Sequence, residues 1–136
     1  MEINKEVAIK ASLEDVWSYL TDVEKSRYIW SLKVMADLKI GSLVKFSGSK
    51  ETLVVKSIKP PGHLSLSGKS KTVSITTNCD LLRRGKRTVL KITVSVWEIM
   101  DPEEAQIEVP RVSLEWEKRL NLIKRTIELA QKSLVN

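Results

Sequence analysis

Apolar and polar side chains alternate along several stretches of the chain, which is typical of β-strands with one buried face. The alternation is most regular in residues 72–82 and 89–97, which are joined by an Arg-Arg-Gly-Lys turn whose glycine can adopt positive φ. These two stretches therefore predict a long hairpin. Its inward positions are predicted to be Val73, Ile75, Thr77, Cys79 and Leu81, then Leu90, Ile92, Val94 and Val96.

Shorter stretches of the same kind precede this hairpin. Residues 1–10 alternate clearly, and further short strands are separated by turns rich in glycine, serine and proline. The Lys-Pro-Pro-Gly segment must be a turn, because neither proline can donate a hydrogen bond to a strand ladder. The remaining predicted strands are residues 32–38, 43–47, 52–58 and 64–67, which gives about seven strands in all.

Two segments carry apolar residues at helical spacing instead. Residues 13–20 form one apolar stripe, and Ser12 followed by Asp15 is a capping pattern at its start. Residues 111–134 repeat apolar positions at intervals of four and three, which predicts a long C-terminal helix after an acidic loop that opens at residues 101–104. The predicted inner stripe of this helix is Trp116, Leu120, Ile123, Ile127, Ala130 and Leu134, with Lys118, Arg119, Lys124 and Arg125 towards solvent.

This order of elements predicts an α+β domain. It runs from one strand through one or two short helices and about six strands to the long helix. The sheet must curve around that helix, because no other element is long enough to cover its apolar face. A chain of 136 residues is enough for one domain with its own core, so we expect residues 1–136 to form a single domain.

Composition narrows the chemistry that this domain can perform. The chain has one cysteine and one histidine, which excludes a disulfide framework and a CxxC zinc site and leaves little for a Cys-His or Ser-His pair. No apolar run is long enough for a signal peptide or a membrane span. We therefore expect a cytoplasmic protein with a reduced Cys79, without metal or cofactor and without catalytic activity.

The order of elements, together with three local motifs, resembles a known superfamily. The motifs are Ala-Ser-Leu-Glu-Asp-Val-Trp at residues 11–17, Gly41, and the Lys-Pro-Pro hairpin at residues 59–61. They resemble the START-like, birch-pollen-allergen-like (SRPBCC) superfamily, and are most similar to the heat-shock-protein-ninety ATPase activator homologues and the CoxG-like proteins. The resemblance implies a helix-grip fold whose cavity, between sheet and long helix, binds lipids or other apolar molecules. Some members are enzymes, such as cyclases, and others contact protein partners.

The implied ligand site lies between the sheet and the C-terminal helix, with Trp30 over its mouth. The function expected from it is binding of a small hydrophobic or amphipathic, lipid-like ligand. The same residues could instead form a filled core, and the sequence leaves both alternatives open. The predicted site residues are Trp30, Phe46, Leu66, Ile75, Thr77, Ile92, Val94, Trp116, Leu120 and Ile123.

A basic segment supports an alternative function. Residues 39–92 carry twelve basic and two acidic side chains, which could form a stripe that meets phosphates. The segment has a single aromatic residue for base stacking, Phe46, and no nucleic-acid-binding motif, so an acidic protein partner is favoured over nucleic acid. The basic residues considered are Lys45, Lys56, Lys69, Lys71, Arg83, Arg84, Lys86, Arg87 and Lys91.

The remaining reactive side chains give no clear catalytic signal. His63 follows a Pro-Pro-Gly turn, where we expect it to be exposed and without a fixed partner. Cys79 lies on the apolar side of its strand, where a free thiol usually packs as a small hydrophobic group. An enzyme of the cyclase or hydrolase type would need inward polar groups, and only Thr77 and Cys79 are predicted to face inward.

Overall fold

The structure is a computed structural model that describes residues 1–28, 37–46, 52–70 and 72–135. It contains the strand, short helix, strands and long helix in the predicted order. The elements are β1 (Glu2–Ile9), α1 (Leu13–Thr21), β2 (Leu43–Val44), β3 (Leu53–Lys59), β4 (His63–Lys69), β5 (Val73–Arg84), β6 (Arg87–Ile99) and α2 (Pro102–Val135), with a 3-10 turn at Ser26–Tyr28.

The strands of the described residues form one antiparallel sheet of six strands, in the order β1-β6-β5-β4-β3-β2. The predicted hairpin is its centre, with β5 and β6 paired along their whole length around Gly85, whose φ is +63°. The sheet has six strands where about seven were predicted. The further predicted strand, residues 32–38, lies mostly outside the described residues, and Asp37 and Leu38 at its end are not in a strand.

The face of the sheet that packs towards α2, called the inner face below, carries the apolar side chains that the alternation predicted. In β5 the positions Val73, Ile75, Thr77, Cys79 and Leu81 are all buried, and in β6 so are Leu90, Ile92 and Val94. The apolar stripe of α2 faces them, with Trp116, Leu120, Ile123 and Ile127 each at most 3% exposed. The helix-grip arrangement is therefore present, because the sheet and the helix bury each other's apolar surface.

Helix α2 begins at Pro102, well before the position near Arg111 that its apolar stripe predicted. The segment interpreted as an acidic loop is a helix start: Asp101 precedes the helix, and its Oδ1 accepts a hydrogen bond from the Glu104 amide at 3.3 Å. Proline is favoured at the first helical position, where its missing N–H would be unpaired in any case. The acidic side chains of the first turn also interact favourably with the helix dipole.

Pro110 lies inside α2 and does not end it. An internal proline removes one backbone hydrogen bond and crowds the preceding turn, at a cost of about 3 kcal/mol. The turns on both sides of Pro110 are nevertheless held against the core, because Ala105 is buried and Val109 and Val112 pack on the apolar cluster. Tertiary packing thus outweighs the local preference at this position.

Helix α1 has the predicted cap. The Ser12 hydroxyl accepts a hydrogen bond from the Asp15 amide at 3.1 Å, and the helix buries Val16 and Leu20. Its entry is fixed to the sheet by Thr88, whose buried Oγ1 donates to the Ala11 carbonyl at 2.8 Å. No helix of the described residues has the length and the apolar character needed to cross a membrane.

Candidate functional site

Nine of the ten predicted ligand-site residues lie within the described ranges, and all nine are buried in the grip between sheet and helix. Trp30 lies outside the described residues. The apolar members belong to one continuous core cluster, and Thr77 is buried beside them on β5. The nine are Phe46, Leu66, Ile75, Thr77, Ile92, Val94, Trp116, Leu120 and Ile123, each at most 9% exposed. That they bind a ligand stays a prediction.

The aromatic side chains of this set meet at one place. Phe46, just after β2, and Trp116 on α2 pack edge to face, with ring centroids 4.7 Å apart and planes at 77°. Arg119 lies one helical turn after Trp116 and contacts both rings. Its Cζ is 4.3 Å from the Phe46 centroid and 4.6 Å from the Trp116 centroid, which are distances of cation–π interactions.

Arg119 is partly buried, although its place in the sequence predicted a solvent-facing residue. Burial lowers the pKa of the Arg119 guanidinium, while the Glu115 carboxylate and the Cys79 thiol raise it. An arginine keeps its charge at any physiological pH, so the edge of the apolar core carries a fixed positive charge. The sequence signal that could have found it is the three-residue spacing from Trp116, which places both side chains on neighbouring parts of one helix face.

Cys79 lies on the inner face of β5, near this positive charge. Burial raises the pKa of the Cys79 thiol to about 12, and the Asp80 carboxylate raises it too, while the Arg119 charge acts in the opposite direction. The thiol is therefore protonated at neutral pH. Because the thiolate is the nucleophilic form of cysteine, Cys79 behaves as the core residue that the sequence predicted.

His63 has a fixed partner, which contradicts the expectation of an isolated turn residue. It is the first residue of β4 and pairs in register with Asp80 of β5, so that His63 Nδ1 lies 2.7 Å from Asp80 Oδ1. Successive side chains of a strand point to opposite faces. Since Cys79 is on the inner face, Asp80 and His63 are on the outer one, away from the grip.

A separate surface cavity of about 530 Å³ lies between the start of α1 and the turn joining β5 to β6. Arg83 at its edge pairs with Glu14 of α1, with 3.3 Å between Nη2 and Oε1. Part of the predicted basic stripe thus surrounds a concave surface. The lining residues are Lys10, Ala11, Ser12, Leu13, Arg83, Gly85, Lys86, Arg87 and Thr88.

The rest of the basic segment is spread over the surface. Lys56, Lys69, Arg84 and Lys91 are exposed, and Lys45 is partly buried next to Phe46. Lys71 lies outside the described residues. Among the residues that the structure describes, no group of three His, Cys, Asp or Glu side chains is arranged to hold a metal ion.

Comparison with known proteins gives the fold. No protein-family model matches the chain, and no curated protein matches its sequence. Among solved structures, CalU16 from Micromonospora echinospora superposes with a TM-score of 0.72 at 21% identity, over 93% of this chain and 73% of CalU16. The Aha1 dimer from Colwellia psychrerythraea gives 0.74 at 19% identity, over 94% of this chain and 96% of Aha1.

A norcoclaurine synthase from Thalictrum, solved as a point mutant with a transition-state analogue, gives a TM-score of 0.70 at 14% identity, over 97% of this chain and 96% of the synthase. These neighbours are helix-grip proteins of the SRPBCC type, and this chain shares their fold. Their names include an enzyme and a dimer, which illustrates that one fold carries unrelated functions. The function of this chain therefore depends on its own residues.

Proposed function

We propose that the protein binds a small hydrophobic or amphipathic ligand between the inner face of the sheet and α2, without catalysing a reaction. The observation that supports this most directly is the combination of an apolar interior with the Arg119 cation at its edge. Phe46 and Trp116 cover that edge, and Arg119 lies against both of them. Ligand sites commonly combine apolar and aromatic walls with a few polar groups that orient the ligand.

The non-catalytic part of the proposal rests on the inward polar groups of the described strands. Thr77 and Cys79 lie in the grip, and the Cys79 thiol is held in its unreactive protonated form. The best-connected acid–base pair, His63 and Asp80, lies on the opposite face of the sheet. General acid–base catalysis requires such a pair within hydrogen-bond reach of the substrate, which a ligand in the grip would not meet.

Tryptophan fluorescence can test this function. We expect a neutral apolar probe, dodecanol, to change the emission of the wild-type protein saturably, because Trp116 lies at the edge of the site. Ile92→Trp should lower the affinity for dodecanol by at least about tenfold, because the larger side chain fills the interior. The same change should lower the free energy of unfolding by about 1–3 kcal/mol through overpacking. Lys91→Glu, on the neighbouring exposed position, is the control and should bind dodecanol normally.

Two results would contradict ligand binding. One is the absence of any saturable response in a wild-type protein that melts cooperatively. The other is an Ile92→Trp variant that folds and still binds dodecanol with unchanged affinity. Native mass spectrometry of the purified protein provides a second measurement, since a ligand in the grip should remain bound and add its mass.

A protein-interaction function is the alternative, and the basic cavity beside α1 favours it. Lys10, Arg83, Lys86 and Arg87 line this concave surface, which is complementary to acidic side chains of a partner. The double variant Lys86→Glu, Arg87→Glu should then abolish capture of an acidic protein partner while leaving dodecanol binding intact. If the same variant captures that partner as well as wild type, the alternative fails.

A further inference from the structure

We propose that Arg119 binds the carboxylate of an acidic amphiphile, a fatty-acid-like or aromatic carboxylic acid, whose apolar part occupies the grip. This inference depends on the proposed ligand-binding function and names the chemical class of the ligand. It starts from the position of Arg119, at the only place in the described part of the grip where a charged side chain contacts both core aromatic rings.

The guanidinium of Arg119 has N–H donors without a partner among the described side chains. A guanidinium carries five N–H donors, and the contacts of its Cζ with the rings of Phe46 and Trp116 provide no hydrogen-bond acceptor oxygen for them. Across the described ranges, these N–H groups form no hydrogen bond or ion pair with a protein side chain. Because Arg119 is partly buried, bulk water has restricted access to it. A charged donor group in such a place is complementary to an anionic ligand.

The carboxylate that acts on the charge of Arg119, Glu115, and the carboxylate beside Cys79, Asp80, both pair with other side chains. Glu115 is exposed and lies 3.9 Å from Arg111 Nε, an interaction along the outer side of α2. Asp80 pairs with His63 on the outer face of the sheet. The other ionisable group that acts on Arg119, the Cys79 thiol, is neutral at physiological pH. The positive charge of Arg119 is therefore not neutralised by a contacting group of the described chain.

The charge and shape of the guanidinium favour a carboxylate over other head groups. A guanidinium binds the two oxygens of a carboxylate through two parallel N–H···O hydrogen bonds, and both groups are planar. A monoanion also matches the single positive charge, whereas a dianion such as a phosphate monoester would leave one charge unpaired beside an apolar core. The Phe46 and Trp116 rings next to the guanidinium would contact the first carbons of the ligand's apolar part.

The test compares two probes that differ only in the head group, dodecanoate and dodecanol, using the full-length protein. We expect the wild type to bind dodecanoate at least about tenfold more tightly than dodecanol, because a hydrogen-bonded charge pair forms only with the acid. Arg119→Gln should remove this preference by weakening dodecanoate binding about tenfold, while dodecanol affinity changes less than about twofold. Arg125→Gln, an exposed arginine on the same helix, is the matched control and should keep the preference.

The outcomes separate the two proposals. If wild type binds both probes with equal affinity, the role of Arg119 is wrong and ligand binding stands. If it binds neither, the ligand-binding function fails and this inference fails with it. If Arg119→Gln does not fold, Arg119→Lys decides: it keeps the charge but loses the paired N–H groups, so an unchanged preference for dodecanoate in that variant contradicts the carboxylate geometry proposed here.

Discussion

At the scale of single residues, the burial of Cys79 makes the stability of the protein depend on pH. The pKa of the thiol is about 12 in the folded protein, against 9.0 for a free thiol, chiefly because burial disfavours the thiolate. Below about pH 9 the thiol is protonated in both states and contributes no pH dependence. Above that pH the unfolded chain loses its proton while the folded chain retains it, so stability falls as the pH rises from about 9 towards about 12.

We therefore predict that Cys79→Ala is less sensitive to alkali than the wild type. The wild-type free energy of unfolding should fall relative to the variant's by up to about 1.4 kcal/mol per pH unit above about pH 9. Urea unfolding of both proteins between about pH 8 and about pH 11 measures this. The variant also leaves a small cavity, so the comparison concerns the slopes, and parallel slopes would contradict the prediction.

At the scale of elements, a hydrogen-bonded group fastens α2 to the end of β1. Lys124 Nζ donates to the Ala8 carbonyl at 2.9 Å and to Glu128 Oε2 at 2.7 Å, and the Lys10 amide donates to the same carboxylate oxygen at 2.8 Å. Burial opposes ionisation of Glu128, but the hydrogen bonds from Lys124 and from the Lys10 amide hold its pKa below the usual value. The stabilisation is therefore present above about pH 4.5 and is lost as the pH falls through the lowered pKa.

Glu128→Gln should lower the free energy of unfolding by about 1–2 kcal/mol near neutral pH, because it weakens charge-assisted hydrogen bonds between two elements. The difference from wild type should shrink in acid, where the carboxylate is protonated. Chemical unfolding near pH 7 and near pH 3 measures both effects. Glu117→Gln, exposed on the same helix, is the control and should stay within about 0.5 kcal/mol of wild type at either pH.

Two leucines close together on α2 allow the effect of core packing on stability to be measured apart from the effect of helix propensity. Leu120 is 3% exposed and Leu122 is 48% exposed. Leu120→Ala should cost about 2–5 kcal/mol because it leaves a cavity under the sheet. Leu122→Ala should change stability by less than about 0.5 kcal/mol, since it removes no buried contact. Equal effects in urea unfolding would show that the inner face does not pack on the predicted stripe.

At the scale of the whole molecule, α2 provides the main cover for the inner face. A chain that ends at Glu115 lacks Trp116, Leu120, Ile123 and Ile127 and would expose the inner face to water. We predict that it loses cooperative thermal unfolding, as followed by circular dichroism. A chain that ends at Lys132 keeps the buried stripe and should still melt in one transition. Cooperative melting of the shorter chain would contradict the central role of α2.

The sequence by itself determined the features that depend on local pattern. Alternation fixed which face of β5 and β6 is buried, because successive side chains of a strand point to opposite sides. The four-and-three spacing fixed the inner stripe of α2, and Ser12 marked the start of α1. These features also placed nine candidate ligand residues on the inner side of the fold, although no local pattern distinguishes a ligand site from a filled core.

Only the tertiary structure decided the features that bring distant residues together. Helix α2 continues through Pro110 because packing of Ala105 outweighs a local helix-breaking preference. His63 meets Asp80 through the register of β4 and β5, which the sequence did not specify. Arg119 contacts both Phe46 and Trp116 because the sheet brings the end of β2 to the middle of α2. Each outcome depends on contacts between segments far apart in the chain, and local periodicity carries no information about such contacts.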